Sequence, residues 1–225
     1  MAIFDAIALD YDQWYESKMG KFVDKVETAL AFSLFRPQRG MKILDVGCGT
    51  GNFSIKLAEM GCEVTAIDIS EEMLQIARKK AEEKKLDITF QKMDIYNLKF
   101  KDGSFEAVFS MAAFEFIEEP KKAYDEMYRV LNKDGQLLIG TIHKDSHWGR
   151  LYLSKVFQEN TIFQYAHFKS MEELRELDLK HLVDSGECLF IPPNTAEEDI
   201  TMEKEQRFSK EGRGGYICAL WKKTE

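Results

Sequence analysis

Three glycines, Gly47, Gly49 and Gly51, stand at alternate positions after the apolar run Met41-Lys42-Ile43-Leu44-Asp45-Val46. A helical pattern through Phe53, Ile55, Leu57, Ala58 and Met60 follows them directly. Glycines between a strand and a helix let the chain turn with positive φ and let a ligand meet bare backbone at the helix start. The spacing is G-x-G-x-G rather than the G-x-G-x-x-G of many dinucleotide sites, which by itself discriminates weakly. Two carboxylates sharpen the reading. Asp68 closes the next strand, about 20 residues past the first glycine, where a carboxylate accepts hydrogen bonds from ribose hydroxyls. Asp94, past the third strand, is placed to accept from an adenine amino group. Either Asp alone reads more simply as an N-cap or a turn residue, but together with the loop they point to a nucleoside-containing ligand.

The elements that position these residues alternate in type. Phe22, Val26, Leu30 and Leu34 recur at four-residue spacing, an amphipathic helix that must end before Arg36-Pro37 because the residue before proline resists the α conformation. Strands are expected at residues 41–46, 63–68, 87–91, 105–110 and 136–142. Between them, Ser70 N-caps a helix carrying Met73, Leu74, Ala77 and Ala81, and Pro120 opens a helix running to Leu131. Asp134-Gly135 makes a turn. Strands alternating with helices make an α/β, Rossmann-like, mainly parallel sheet covered on both faces. Past Ile142 the rhythm changes to a helical region from about Trp148 to Val183, then strands at 187–191 and 215–221 separated by a polar, mobile loop, residues 192–214. A single domain is expected, with a helical lid (1–39), a ligand-binding core (40–142) and a substrate-side segment (143–225).

Composition excludes several classes. At 225 residues with 44% hydrophobic content, the chain can bury one substantial core. A net charge of −8 argues against a nucleic-acid surface, which needs clustered Lys and Arg. The lysines at 79, 80, 84, 85, 121 and 122 sit among acids and read as solvated helix faces. Cys48, Cys62, Cys188 and Cys218 show neither C-x-x-C pairing nor metal-ligand spacing, so free thiols and no metal are expected. No signal peptide or membrane-spanning run of ~20 apolar residues is visible, and a cytoplasmic location is expected.

The segment Ile43-Leu44-Asp45-Val46-Gly47-Cys48-Gly49-Thr50-Gly51-Asn52-Phe53 resembles motif I of the class I S-adenosylmethionine-dependent methyltransferases. The resemblance continues through Val64 to Ser70, Met93-Asp94, Phe105 to Val108, Ile117 to Pro120 and Tyr128 to Gly135, covering roughly residues 40 to 142. This stretch is similar to the small-molecule group typified by ubiquinone and menaquinone biosynthesis methyltransferases, whose N-terminal lid Tyr11-Asp12 and Trp14-Tyr15 also resemble. The likeness implies a seven-stranded sheet with an antiparallel last strand, S-adenosyl-L-methionine as cofactor and S-adenosyl-L-homocysteine as product. It further implies Asp68 on the ribose and Asp94 on the adenine. Gly47, Cys48, Gly49 and Gly51 would lie beside the methionine moiety, Asp45 near the cofactor's amino group, Ile69, Met73 and Ile95 along the adenosine side, and Met111 against the cofactor. Tyr11 and Trp14, with Phe4 and Tyr15, would cover the cofactor as an aromatic lid, or simply pack the N-terminal helix onto the sheet.

Two departures bear on the acceptor. Where many members carry paired histidines after the fourth strand, this chain reads Phe114-Glu115-Phe116. The Asx-Pro-Pro-aromatic signature of nucleic-acid amino methylation is replaced by Ser110-Met111-Ala112-Ala113-Phe114. A small-molecule acceptor is therefore expected, with no nucleic-acid partner. Methyl transfer is a direct displacement in which alignment alone contributes on the order of 7–11 kcal/mol, so an obligatory catalytic residue is not required. Glu115 and His143 are the candidate general bases, and Phe114 and Trp148 the candidate acceptor contacts. Phe116, Phe157, Phe163, Tyr165 and Phe168 add to an apolar or planar acceptor surface. Cys48 is read as packing under the turn, not as a nucleophile. The rival readings are a nicotinamide-dependent oxidoreductase using the same loop and Asp68, and a cofactor-binding regulatory module without catalysis.

Overall fold

The computed structural model describes residues 3–224. Its core is one seven-stranded sheet: β1 (Lys42–Val46), β2 (Glu63–Asp68), β3 (Ile88–Lys92), β4 (Phe105–Met111), β5 (Leu131–Ile142), β6 (Leu182–Cys188) and β7 (Tyr216–Lys222). The spatial order is β3-β2-β1-β4-β5-β7-β6. Strands β1 to β5 pair in parallel, and β7 runs antiparallel to both β5 and β6. The chain leaves β1 toward β2 on one side and, after β3, crosses to β4 on the other, so a crevice opens beyond the carboxyl end of β1, at the topological switch point.

Ten α-helices and four short 3-10 turns complete the described chain, the α-helices being α1 (Ala8–Tyr11), α2 (Gln13–Glu16), α3 (Lys18–Leu34), α4 (Asn52–Glu59), α5 (Glu71–Glu83), α6 (Pro120–Val130), α7 (His147–Tyr152), α8 (Lys155–Asn160), α9 (Met171–Arg175) and α10 (Met202–Phe208). Successive strand residues point to opposite faces, and the core divides accordingly. Ile43, Ala107, Leu138 and Cys218 pack with Phe22, Val23, Val26 and Ala31 of α3 on one face. Their neighbours Leu44, Val108, Leu137 and Ile217 pack with Ala123, Tyr124, Met127 and Val130 of α6 on the other. This two-sided burial is why the strands read as continuous apolar runs. The expected caps are in place: Ser70 accepts from the Met73 N–H at 3.2 Å, and Pro120 occupies the first turn of α6. Helix α3 stops at Leu34, and Phe35 is already extended ahead of Arg36-Pro37. The helix packs on the sheet and also reaches the crevice, where Asp24 borders it together with residues of the segment before α3. No described helix is long and apolar enough to cross a membrane.

The C-terminal third departs from the sequence reading. Strand β6 spans residues 182–188 and not 187–191, because as an edge strand it pairs only with β7 and carries little apolar signal. The apolar run Leu189-Phe190-Ile191 turns away at Leu189, whose φ is 65°. It plugs the core instead, with Leu189 and Ile191 buried. The residues expected to form a mobile loop contain α10, N-capped by the Thr201 hydroxyl. Glu205 of α10 is buried, and its two carboxyl oxygens accept the Phe190 and Ile191 N–H groups at 3.0 Å each. The turn at Asp134-Gly135 lies inside β5, where the partner of Leu131 is Phe105 and that of Gln136 is Ala107.

Replacing Glu205 with alanine strands two backbone donors at once. The variant is expected to lose about 2–4 kcal/mol of stability in denaturant unfolding. A loss under about 0.5 kcal/mol would show that water replaces the carboxyl freely.

Candidate functional site

The carboxyl ends of β1, β2 and β4 enclose a cavity of about 220 Å³. Gly47, with φ of 72°, is tightly packed: a Cβ there would sit 2.5 Å from the Ala113 Cβ. Gly49, with φ of 53°, has the opposite environment, since a Cβ would meet nothing within 4 Å. Its backbone is bare toward open space. Gly51 has a different task from the one expected. It is the N-cap of α4, and its missing Cβ lets Ala77 of α5 approach, while the residue itself stays off the cavity.

Asp68, at the end of β2, accepts the Gly49 N–H on one oxygen and the Ser70 N–H on the other, both at 2.8 Å. Each oxygen retains a lone pair, and the residue lines the cavity. Burial raises its pKa even though those backbone bonds favour the charged form. Asp45 is buried and accepts the Ser54 hydroxyl at 2.5 Å. Burial pushes its carboxyl up to about 7 against that hydrogen bond, and the charge of Asp68 adds to the rise. Asp94 is exposed at the cavity edge, where its Oδ1 takes the Tyr96 N–H at 2.9 Å. Cys48, Ile69, Met73, Ile95 and Met111 all line the cavity. Burial raises the Cys48 thiol well above its usual range, which keeps it protonated and poorly nucleophilic.

The N-terminal segment closes over this crevice. Asp12 accepts from the Thr50 hydroxyl at 2.7 Å and pairs with Lys80 at 2.8 Å, while Lys80 also reaches Asn52 Oδ1 at 2.5 Å. The lid is thereby latched to the glycine loop and to α5. Phe4 meets the Phe116 ring edge-on at 4.8 Å. Tyr11 borders this cavity and a second, larger one, whereas Trp14 borders only the second.

That second cavity, of about 680 Å³, shares Phe4, Tyr11, Tyr15, Ala112 and Phe116 with the first. Trp148 lines it, its indole N–H held by the Ile191 carbonyl at 2.8 Å. Glu115 lines it too, accepting the Thr141 hydroxyl at 3.0 Å, and burial pushes its carboxyl up to about 7. Phe116, Phe157 and Phe163 join the wall, whereas Tyr165 and Phe168 do not. Two expectations fail here. Phe114 is fully buried in the α6-side core, because successive residues of the 3-10 turn Phe114–Phe116 diverge and only the latter two reach the cavity. His143 is also off both cavities: it is buried, and its Nδ1 accepts the Asp145 N–H at 3.0 Å. Desolvation lowers its pKa, and its place is structural.

Sequence reasoning missed Glu27, Tyr152 and Tyr216, all on the larger cavity. A signal for Glu27 existed: it stands between Val23 and Ala31 at four-residue spacing, a charge in the apolar stripe of α3. Burial, followed by the charge of Glu115, raises its pKa well above the usual carboxylate range.

Residues 44–139 match the family described as Methyltransferase domain. A phosphatidylethanolamine N-methyltransferase of Cereibacter sphaeroides is 35% identical over 139 residues, which cover 60% of this chain and 67% of that protein. The chain belongs to the S-adenosylmethionine-dependent methyltransferases. An uncharacterised protein of Methanocaldococcus jannaschii is 32% identical over 97% of both chains. A Thermotoga maritima crystal structure described as a methyltransferase of this kind, possible histamine N-methyltransferase, superposes with a TM-score of 0.77 at 25% identity, covering 99% of this chain and 98% of that one. The cofactor of this family is S-adenosylmethionine; phosphoethanolamine N-methyltransferase structures from Haemonchus contortus, which contain it or its product, share the fold at 18–19% identity.

Two predictions follow from these contacts. Asp12→Ala unlatches the lid and is expected to weaken S-adenosylmethionine binding about tenfold in calorimetry, with little change in melting temperature; unchanged affinity would mean the latch does not bear on the ligand. Asp45 gives a pH signature. Folded Asp45 holds its proton to about 7, but the unfolded chain releases it near pH ~4. Its stabilising effect is complete below that lower value and is lost as pH rises through the folded pKa. The stability of wild type minus Asp45→Asn should therefore fall between about pH 4 and about pH 7, and a flat difference would show a carboxyl ionised throughout.

Proposed function

We propose that this methyltransferase transfers the methyl group of S-adenosylmethionine to a small organic molecule held in the larger cavity, by direct displacement. The observation that carries this reading is the junction of the two cavities at Phe4, Tyr11, Tyr15, Ala112 and Phe116, which sets an acceptor chamber against the cofactor crevice. The residues of the crevice fit the cofactor. Asp68 has lone pairs to offer ribose hydroxyls, Asp94 retains Oδ2 for an adenine amino group, and the bare backbone at Gly49 leaves room for the methionine end. Buried Asp45 is the nearby carboxyl suited to a cationic amino group.

When bound, S-adenosylmethionine supplies an electrophilic methyl carbon on a sulfonium. The chain's own residues align the acceptor, exclude water and move a proton. The aromatic walls contributed by the lid and by α7 and α8 shield the junction from solvent. Glu115, raised to about 7, is suited to accept a proton from the acceptor near neutrality. His143 has no part in this step. The relatives described as acting on phosphatidylethanolamine and, as a possibility, on histamine support a nitrogen-bearing acceptor.

Calorimetric titration with S-adenosylmethionine, S-adenosylhomocysteine and NADH tests the crevice. Both sulfur nucleosides are expected to bind at micromolar concentration, and Asp68→Ala to lose at least about tenfold in affinity while remaining folded by circular dichroism. Binding of NADH alone would overturn the reading in favour of an oxidoreductase. Tight cofactor binding with no S-adenosylhomocysteine formed in the presence of a cell metabolite extract would favour a non-catalytic module.

A further inference from the structure

The larger cavity has an unusual composition. Among the described residues lining it, ten side chains are aromatic, two are glutamates, and none is Lys, Arg or His. The carboxyl of Glu27, 6% exposed, reaches this cavity from α3 and has no hydrogen bond or ion pair to the described residues. Lys56, the cation whose charge bears on it, is paired with Asp24. Glu115 faces the same space, accepting from the Thr141 hydroxyl and from its own backbone, and the charge of Lys169, which is off the cavity lining, bears on it. The charges of both glutamates bear on Tyr11, Tyr152 and Tyr216, so the acids and these rings surround one volume.

A buried polar group without a partner calls for an explanation, and two acids facing one apolar space strain each other. An ammonium group relieves both conditions. It brings a positive charge and several N–H donors, and aromatic faces attract cations through their quadrupole. A phosphate or carboxylate would meet two acids with no cation on the described lining to receive it, and a neutral hydroxyl could donate only one hydrogen bond. We propose that the methyl acceptor is a small organic amine bound as its ammonium ion, its nitrogen between Glu27 and Glu115 and its organic body against the aromatic wall. This rests on reading the cavity as the acceptor site.

The amine must be deprotonated before it reacts. The ammonium nitrogen gives one proton to a glutamate carboxylate and regains its lone pair. That pair forms the new C–N bond while the C–S bond of S-adenosylmethionine breaks, its electrons passing to sulfur. The products are the N-methylated ammonium ion and S-adenosylhomocysteine, and the glutamate returns its proton to solvent. Glu27 and Glu115 thus both hold the cation, and either can take the proton.

The test uses the full chain with S-adenosylhomocysteine present and three probes of similar shape: phenethylamine, 2-phenylethanol and phenethyl phosphate. Calorimetry is expected to show phenethylamine binding at least about tenfold more tightly than the alcohol, and no binding of the phosphate. Glu27→Gln and Glu115→Gln are each expected to weaken the amine about tenfold without changing affinity for S-adenosylhomocysteine. Glutamine mimics the protonated carboxyl that burial favours, and an unchanged melting temperature verifies folding. The inference is overturned if the alcohol or phosphate binds as tightly as the amine, if both glutamine variants bind the amine like wild type, or if none of the probes binds. Mass spectrometry after adding S-adenosylmethionine separates the two readings. N-methylphenethylamine supports both, an O-methylated alcohol keeps the acceptor site and rejects the amine, and glutamate-dependent amine binding without methylation keeps the amine and rejects the acceptor site.

Discussion

The site depends on one carboxylate. Asp68 bonds the N–H groups of Gly49 and Ser70, one on each oxygen, and so ties the glycine loop after β1 to the start of α5 after β2. The Gly47 and Cys48 N–H groups bond the Ile67 carbonyl, and the clamp adds a side-chain tie at Gly49 in a loop with three positive-φ residues. With this tie, the backbone at Gly49 is fixed and bare, and the remaining lone pairs of Asp68 face the same space. A group that organises the loop is thereby already oriented toward whatever the loop holds, the kind of preorganisation that lowers the cost of binding.

Around this clamp the molecule accumulates desolvated acids. Asp45, Glu27 and Glu115 are all buried, and burial is the first cause of each upward pKa shift. Keeping three such groups in the interior costs stability, and an apolar residue at each position would pack more simply. Local disagreement with the rules of folding tends to mark functional positions. Here the three acids divide between the two cavities, Asp45 on the first and both glutamates on the second.

The two cavities are separated by little more than rings. Phe4, Tyr11 and Tyr15 come from the N-terminal segment and Phe116 from the turn after β4, and all four border both spaces. Asp12, one residue after Tyr11, is held by Thr50 and Lys80, and Asp5 is bonded by the Ser70 hydroxyl. The N-terminal segment is anchored by polar contacts beside the smaller cavity and presents mainly aromatic rings to the larger one. Short helices α7 and α8 complete the wall of the larger cavity, with Tyr152 stacked on Phe163 at 4.1 Å.

The sequence by itself determined the parallel half of the sheet, the glycine loop and Asp68, because each rests on local information: apolar runs buried on both faces, a cap at Ser70, a proline at 120, and glycines where only glycine turns easily. It also brought out Glu115, Trp148 and the aromatic lid as candidates. Tertiary structure alone decided the rest. An edge strand such as β6 has one pairing partner and little apolar signature, so its bounds could not be read locally. Phe114, Glu115 and Phe116 are neighbours in sequence, yet the pitch of a single 3-10 turn sends the first into the core and the others to the cavity. His143 was placed by chain position, but its ring is engaged with the Asp145 backbone. Glu27 lies 88 residues from Glu115 in the chain, and only the packing of α3 across the sheet brings their charges to bear on each other. Burial and electrostatic neighbourhood are properties of the assembled fold, and they decided which acids have chemistry available to them.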